Sequence, residues 1–103
     1  MSISNKNKQL TPEVFKQYEF HENELKSKWY KPIVNENLSS TIYLYITENN
    51  GRYKATGWLG PKLGIFKLKE KYIENTIDLD ALICDIREVN FSTFLDYFEY
   101  YVI

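Results

Sequence analysis

The clearest pattern in the chain is strict alternation. "SSTIYLYIT" (39–47) places Ile42, Leu44 and Ile46 at every second position, with Tyr43 and Tyr45 between them. That period of two predicts a half-buried strand, aliphatic on one face and tyrosine on the other. "ENNG" (48–51) follows, and Asn50-Gly51 suits the positive φ angles of a type I′ hairpin. "RYKATGWL" (52–59) then returns antiparallel, with Tyr53, Ala55 and Gly57 alternating against Lys54, Thr56 and Trp58. "GIFKLKE" (64–70) reads as the next strand, Phe66 and Leu68 on one face and Lys67 and Lys69 on the other. "KSKWYKPIV" (26–34) is a weaker strand candidate, because Pro32 belongs at an edge or a bulge.

Helical spacing brackets this meander. "TPEVFKQY" (11–18) opens with a capping threonine, a proline at the first helical position and Glu13 in the first turn, and Val14, Phe15 and Tyr18 share one face. Further on, Ile77, Leu79 and Ala81 alternate like a strand, while Leu79, Leu82, Ile83, Ile86 and Val89 recur like a helix. The reading taken is a helix over 79–89, with residues 72–80 open between strand and helix. "NFSTFLDYFEYYVI" (90–103) predicts a second helix capped by Asn90 or Ser92, with Phe94, Leu95, Phe98, Tyr101 and Val102 as its apolar stripe. The expected fold is α+β: an antiparallel β-meander of about four strands with one N-terminal and two C-terminal helices. Residues 1–9 are expected to be a disordered terminus and 10–103 a single domain.

Composition narrows the class. The 103 residues include nine tyrosines and only one cysteine, Cys84. One cysteine allows no intrachain disulfide, and with no apolar segment in "MSISNKNKQL" the expected location is cytoplasmic. No run approaches the length of a membrane span.

The chemistry-bearing motifs are sparse. "GWLGPKLG" (57–64) resembles a phosphate cradle only superficially. A P-loop needs G-x-x-x-x-G-K-[ST] at a helix start, and here Lys62 precedes no Ser or Thr and the following segment is strand-like. Gly60-Pro61 is a turn pair, and Gly57 inside a strand implies a bulge or close packing. His21 and Cys84 stand alone, without the clustered ligands that zinc or iron requires, and "DLD" (78–80) lacks calcium-loop spacing. No nucleophile–base set stands out, so no enzyme, metal or cofactor is expected.

Two surfaces remain. Aromatic and basic residues interleave along the strands: Lys28, Tyr30, Tyr43, Tyr45, Lys54 and Trp58, with Lys26, Trp29, Lys31, Arg52 and Tyr53 beside them. Such a face can stack unpaired bases while lysines follow the phosphates. The order of residues does not fit the consensus of RNA-recognition motifs, and the net charge of −1 argues against a dedicated nucleic-acid binder. Charge is also segregated along the chain. Residues 1–71 carry 12 Lys/Arg and 7 Asp/Glu, net +5, and residues 72–103 carry 1 and 7, net −6. Asp85 and Glu88 are three apart, as are Asp96 and Glu99, with Tyr97 and Tyr100 flanking the second pair. Carboxylates among tyrosines suit a basic protein surface, where charge steers encounter and tyrosine anchors.

The opening "LTPEVFKQYEF" (10–20) resembles those of small proteins from bacterial phages and mobile elements. In general character the chain is similar to immunity proteins and phage-encoded inhibitors. The first expectation is therefore a non-enzymatic protein-binding inhibitor, of immunity or anti-defence type. It would occlude a basic surface of a toxin or defence nuclease through Asp85, Glu88, Asp96, Tyr97, Glu99 and Tyr100. The alternative is a single-stranded nucleic-acid or small-ligand module using the aromatic-basic strand face. A homo-oligomeric accessory protein is the third.

Overall fold

Six strands lie in chain order in one antiparallel sheet, each paired with its sequence neighbours. The structure, a computed structural model, describes residues 7–23, 28–60 and 66–100. Its strands are β1 His21–Asn23, β2 Lys28–Asn35, β3 Ser40–Asn49, β4 Arg52–Leu59, β5 Phe66–Ile73 and β6 Phe98–Tyr100. The helices are α1 Pro12–Gln17, α2 Thr76–Glu88 and α3 Phe94–Tyr97. The α+β meander is thus as the alternation indicates, with two strands more.

Those two strands are short and carry little pattern of their own. β1 is "HEN", exposed throughout, and exists by pairing with Lys28–Tyr30. β6 replaces the expected second half of a C-terminal helix. The helix stops at Tyr97, Phe98 turns extended (φ −121°, ψ 150°), and Phe98, Glu99 and Tyr100 pair with Leu68, Lys67 and Phe66. The supposed stripe fails accordingly: Phe98 is buried, but Leu95 is 68% exposed. Tyr101, Val102 and Ile103 lie outside the described residues. The edge of β5 offers a ladder of unpaired backbone groups, and aromatic residues suit a pleated surface better than a helix.

The hairpin between β3 and β4 follows from its sequence. Asn50 (φ 54°) and Gly51 (φ 79°) both sit in the left-handed region, closing Asn49 on Arg52. That register sets Ile42, Leu44, Ile46 and Ala55 on one face, all fully buried. Trp29 and Ile33 of β2, Leu68 and Ile73 of β5 and Phe98 of β6 extend this core. α2 lays Leu79, Leu82, Ile83 and Ile86 against it, on the i, i+3, i+4, i+7 spacing. α1 adds Phe15, whose ring stacks on Trp29 at 5.4 Å and meets Tyr53 edge-on at 5.1 Å. Helices therefore cover one face of the sheet, in a two-layer slab 19 Å through its thin axis.

Polar bonds pin the layers. Asn35 is fully buried at the end of β2, and its amide donates to the Ile86 and Val89 carbonyls, each at 2.8 Å. Those carbonyls belong to the end of α2, where helical partners run out. The Asn35 Oδ1 accepts from Leu38 N–H in the β2–β3 turn, so one side chain fixes turn and helix end together. At the other end of α2, Asn75 caps the Asp78 N–H and Asp78 accepts from Glu74 N–H. Residues 7–9, expected to fray, are instead bound here: Lys8 N–H donates to the Thr76 hydroxyl, Thr76 N–H donates to the Lys8 carbonyl, and Gln9 bridges Asn75. Residues 1–6 lie outside the described residues. Pro32 sits where the sequence demands, because β1 covers β2 only as far as Tyr30 and the stretch beyond it is edge.

Leu44→Ala is expected to cost about 2–5 kcal/mol, since a fully buried leucine leaves a cavity. Asn35→Ala is expected to cost about 2–4 kcal/mol by orphaning buried backbone groups. Urea denaturation of both variants checks the pair, and a loss below about 1 kcal/mol for either would contradict its assigned role.

The Tyr18 hydroxyl donates to Asp80 at 2.8 Å, joining α1 to α2. Partial burial, then the bond to Asp80 and its charge, push the phenol from 10.0 up to about 12. A phenol raised in this way contributes stability that is complete below the unfolded value of 10.0 and lost as pH rises through about 12. Tyr18→Phe is expected to flatten the decline of Tm across that alkaline window, as scanning calorimetry would read.

Candidate functional site

The side of the sheet turned away from the helices carries a continuous array of rings and cations. Alternation and register assign it row by row. Tyr30 stands between His21 and Tyr45, with ring centroids 5.0 and 6.1 Å away. In the next row Pro32, Tyr43, Trp58, Lys67 and Glu99 lie side by side across five strands. On the opposite flank run Lys28, Thr47, Lys54 and Tyr72. Arg52 lies over the Tyr72 ring at 3.9 Å, a cation–π contact. All six residues of the aromatic-basic set, Lys28, Tyr30, Tyr43, Tyr45, Lys54 and Trp58, therefore share one face. Among the described residues no helix covers it.

Three residues that the sequence grouped with this set point the other way. Trp29 and Tyr53 pack on Phe15, and the Lys31 ammonium donates to the Tyr18 carbonyl at 2.7 Å. Lys26 lies outside the described residues. Gly57 lets β4 lie close to β3 beside the paired positions Tyr43 and Trp58. A Cβ at Gly57 would come within 2.5 Å of the Tyr43 carbonyl oxygen, so any other residue would push β4 from β3. "GWLGPKLG" is thus strand through Leu59 and then a turn at Gly60 (φ 93°), whose N–H donates to Thr41. Pro61, Lys62 and Gly64 lie outside the described residues.

The acidic set is divided. Asp85 of α2 and Asp96 and Tyr97 of α3 meet across a cavity of ≈ 240 Å³ with Leu68, Lys69, Glu70 and Lys71 of β5. The charge of Asp85, then partial burial and Asp96, raise the Tyr97 phenol above its ordinary value. Glu88 is a turn away, where Cys84 Sγ donates to its carboxylate at 3.4 Å. That bond, with the surrounding charge, raises the thiol above its usual range and disfavours the reactive thiolate. Glu99 is on β6 opposite Lys67, on the open sheet face, and Tyr100 points to the helix side beside Phe66. The expected helical pairing of Asp96 with Glu99 is corrected by the change from helix to strand at Phe98. His21 is in β1, on the sheet layer opposite exposed Cys84 of α2, so the two do not pair. Among the described residues no three His, Cys, Asp or Glu side chains gather as metal ligands.

The charge segregation along the sequence persists, reduced, in three dimensions. α2 and α3 carry Asp78, Asp80, Asp85, Glu88 and Asp96 against Arg87 alone. The open face carries Lys28, Arg52, Lys54 and Lys67 against Glu70 and Glu99. Arg52 and Lys67 were legible as members of this face from alternation; Glu70 was not, for it reaches the face through a bulge.

Comparison with known proteins finds no matching family, no similar curated protein and no similar solved structure. No described helix is long and apolar enough to cross a membrane.

Proposed function

We propose that the protein is a non-enzymatic, cytoplasmic binding module that takes single-stranded nucleic acid on the open face of its sheet. One observation carries the reading: Tyr30, Tyr43, Tyr45 and Trp58 adjoin one another on that face, and Lys28, Arg52, Lys54 and Lys67 border them. Rings on a rigid sheet offer stacking platforms to unpaired bases, and flanking cations follow the phosphates. The net charge of −1 weighs less against this where five carboxylates lie on α2 and α3 and the open face carries Lys28, Arg52, Lys54 and Lys67 against Glu70 and Glu99. A strand docking on the sheet meets a locally cationic surface.

Fluorescence anisotropy with a labelled oligothymidylate tests the proposal. Binding is expected to weaken steeply with salt. Trp58→Ala is expected to remove a stacking contribution of about 1–3 kcal/mol. Absence of binding at low salt, or binding insensitive to both changes, would refute it.

A second reading keeps the helical layer as the working surface: an inhibitor of immunity or anti-defence type that covers a basic toxin or nuclease. The grouping of Asp85, Asp96 and Tyr97 around one cavity favours it. Exposed charges add little to stability but much to association rate. Reversing the exposed Asp96 to lysine is therefore expected to leave melting unchanged and slow capture by a basic partner. Surface plasmon resonance at two ionic strengths against a partner recovered from the native host reads this, and unchanged kinetics would dismiss the acidic surface.

A further inference from the structure

Glu70 stands among the cations of the open face. Its Oε2 lies 3.2 Å from Lys67 Nζ and 3.6 Å from Lys54 Nζ, so a single oxygen is shared by two ammonium groups. The backbone explains how it arrives there. Ala55 pairs with Lys71 and Gly57 with Leu68, leaving Lys69 and Glu70 together opposite Thr56. Without that extra residue Glu70 would share the parity of buried Leu68 and point to the helix side. A bulge re-aims side chains in this way, and here it brings a carboxylate between Lys54 and Lys67. The Lys54 and Lys67 side chains are 28% and 21% exposed, whereas the Glu70 side chain is 46% exposed. The cations are held and the carboxylate can leave.

We propose that the point between Lys54 and Lys67 is an anion subsite for a phosphate group, occupied in the unliganded protein by the protein's own Glu70. This rests on the nucleic-acid reading for the source of the phosphate, a backbone diester laid across β4 and β5. A non-bridging phosphate oxygen takes the position of Oε2, and Glu70 swings to solvent. Exposed lysine–carboxylate pairs are weak, so a multivalent strand that also stacks its bases displaces Glu70 readily. The hydrogen bond from Lys67, with the charges of Lys67 and Lys54, holds the Glu70 carboxyl below its ordinary range, so it is a full anion at neutral pH. Glu70 thereby sets the affinity threshold: it competes with weak anions and yields to a polyanion.

Glu70→Gln keeps the shape and removes the competing charge. Two probes are used: oligothymidylate by anisotropy, and inorganic pyrophosphate by NMR shifts at Lys54 and Lys67. Glu13→Gln, on helix α1 in the other layer, is the control for general charge. Glu70→Gln is expected to bind oligothymidylate on the order of tenfold more tightly at low salt, with a log K against log salt slope steeper by about 0.7, one phosphate contact. Lys54→Met in that background is expected to cancel the gain, and pyrophosphate is expected to shift both lysines more strongly in Glu70→Gln than in the native chain. An equal gain in Glu13→Gln overturns the subsite, as does a lowered Tm in Glu70→Gln with neither probe changed. Oligothymidylate binding equally well to native and Glu70→Gln proteins overturns the subsite and leaves the nucleic-acid reading standing. Pyrophosphate binding at the two lysines without oligothymidylate binding supports the anion subsite and removes that reading.

Discussion

Ile42, Leu44 and Ile46 have no exposed surface, and they decide which side of the sheet is dry. Each side chain of this kind, fully buried, contributes about 1.5–3 kcal/mol. A surface ion pair such as Lys67–Glu70 contributes about 0–1 kcal/mol. The aliphatic row therefore dictates where α1, α2 and α3 dock, and the charged residues follow. Because β3 alternates strictly, committing its aliphatic residues to the helices commits Tyr43 and Tyr45 to the opposite side. The register carries the same decision to Tyr30 on one neighbour and Trp58 on the other.

A short chain of 103 residues with few helical residues has one helical layer to spend on a six-stranded sheet. α2 is the longest helix among the described residues, and Asn35 ties the end of it to the β2–β3 turn. Covering one face fully leaves the other to solvent or to a partner. The rings of Tyr30, Tyr43, Tyr45 and Trp58 are half-buried on that face, and no described helix covers them. An array of tyrosine and tryptophan held this way loses little freedom when something docks on it.

Charge follows the layers as a by-product of the same arrangement. The acidic final third supplies α2 and α3, and the basic first two thirds supply most strands, so α2 and α3 are net acidic and the open face net basic across a thin slab. Such a molecule has two electrostatically distinct surfaces despite a net charge close to zero. Total charge is consequently a poor guide to what either surface will meet.

The sequence by itself determined the meander, the Asn50-Gly51 hairpin, the first helix with its Thr11 cap and the buried row of β3, since each rests on local periodicity or local turn chemistry. It also assigned six aromatic and basic residues to one surface, because alternation within strands and antiparallel return are both local rules. Tertiary structure alone decided the rest. β1 and β6 are too short to bear a period and exist through pairing with β2 and β5. Phe98 leaves a helical stripe because the edge of β5 and the core beneath it offer more than another helical turn. Glu70 crosses from the helix side to the open face because one extra residue in β5 shifts the alternation, and nothing in "KLKEK" marks where that residue is accommodated. Asp96 and Glu99 are close in sequence and on opposite faces, since a helix ends and a strand begins between them. Local spacing fixes neighbours only while the period holds, and long-range pairing chooses where it breaks.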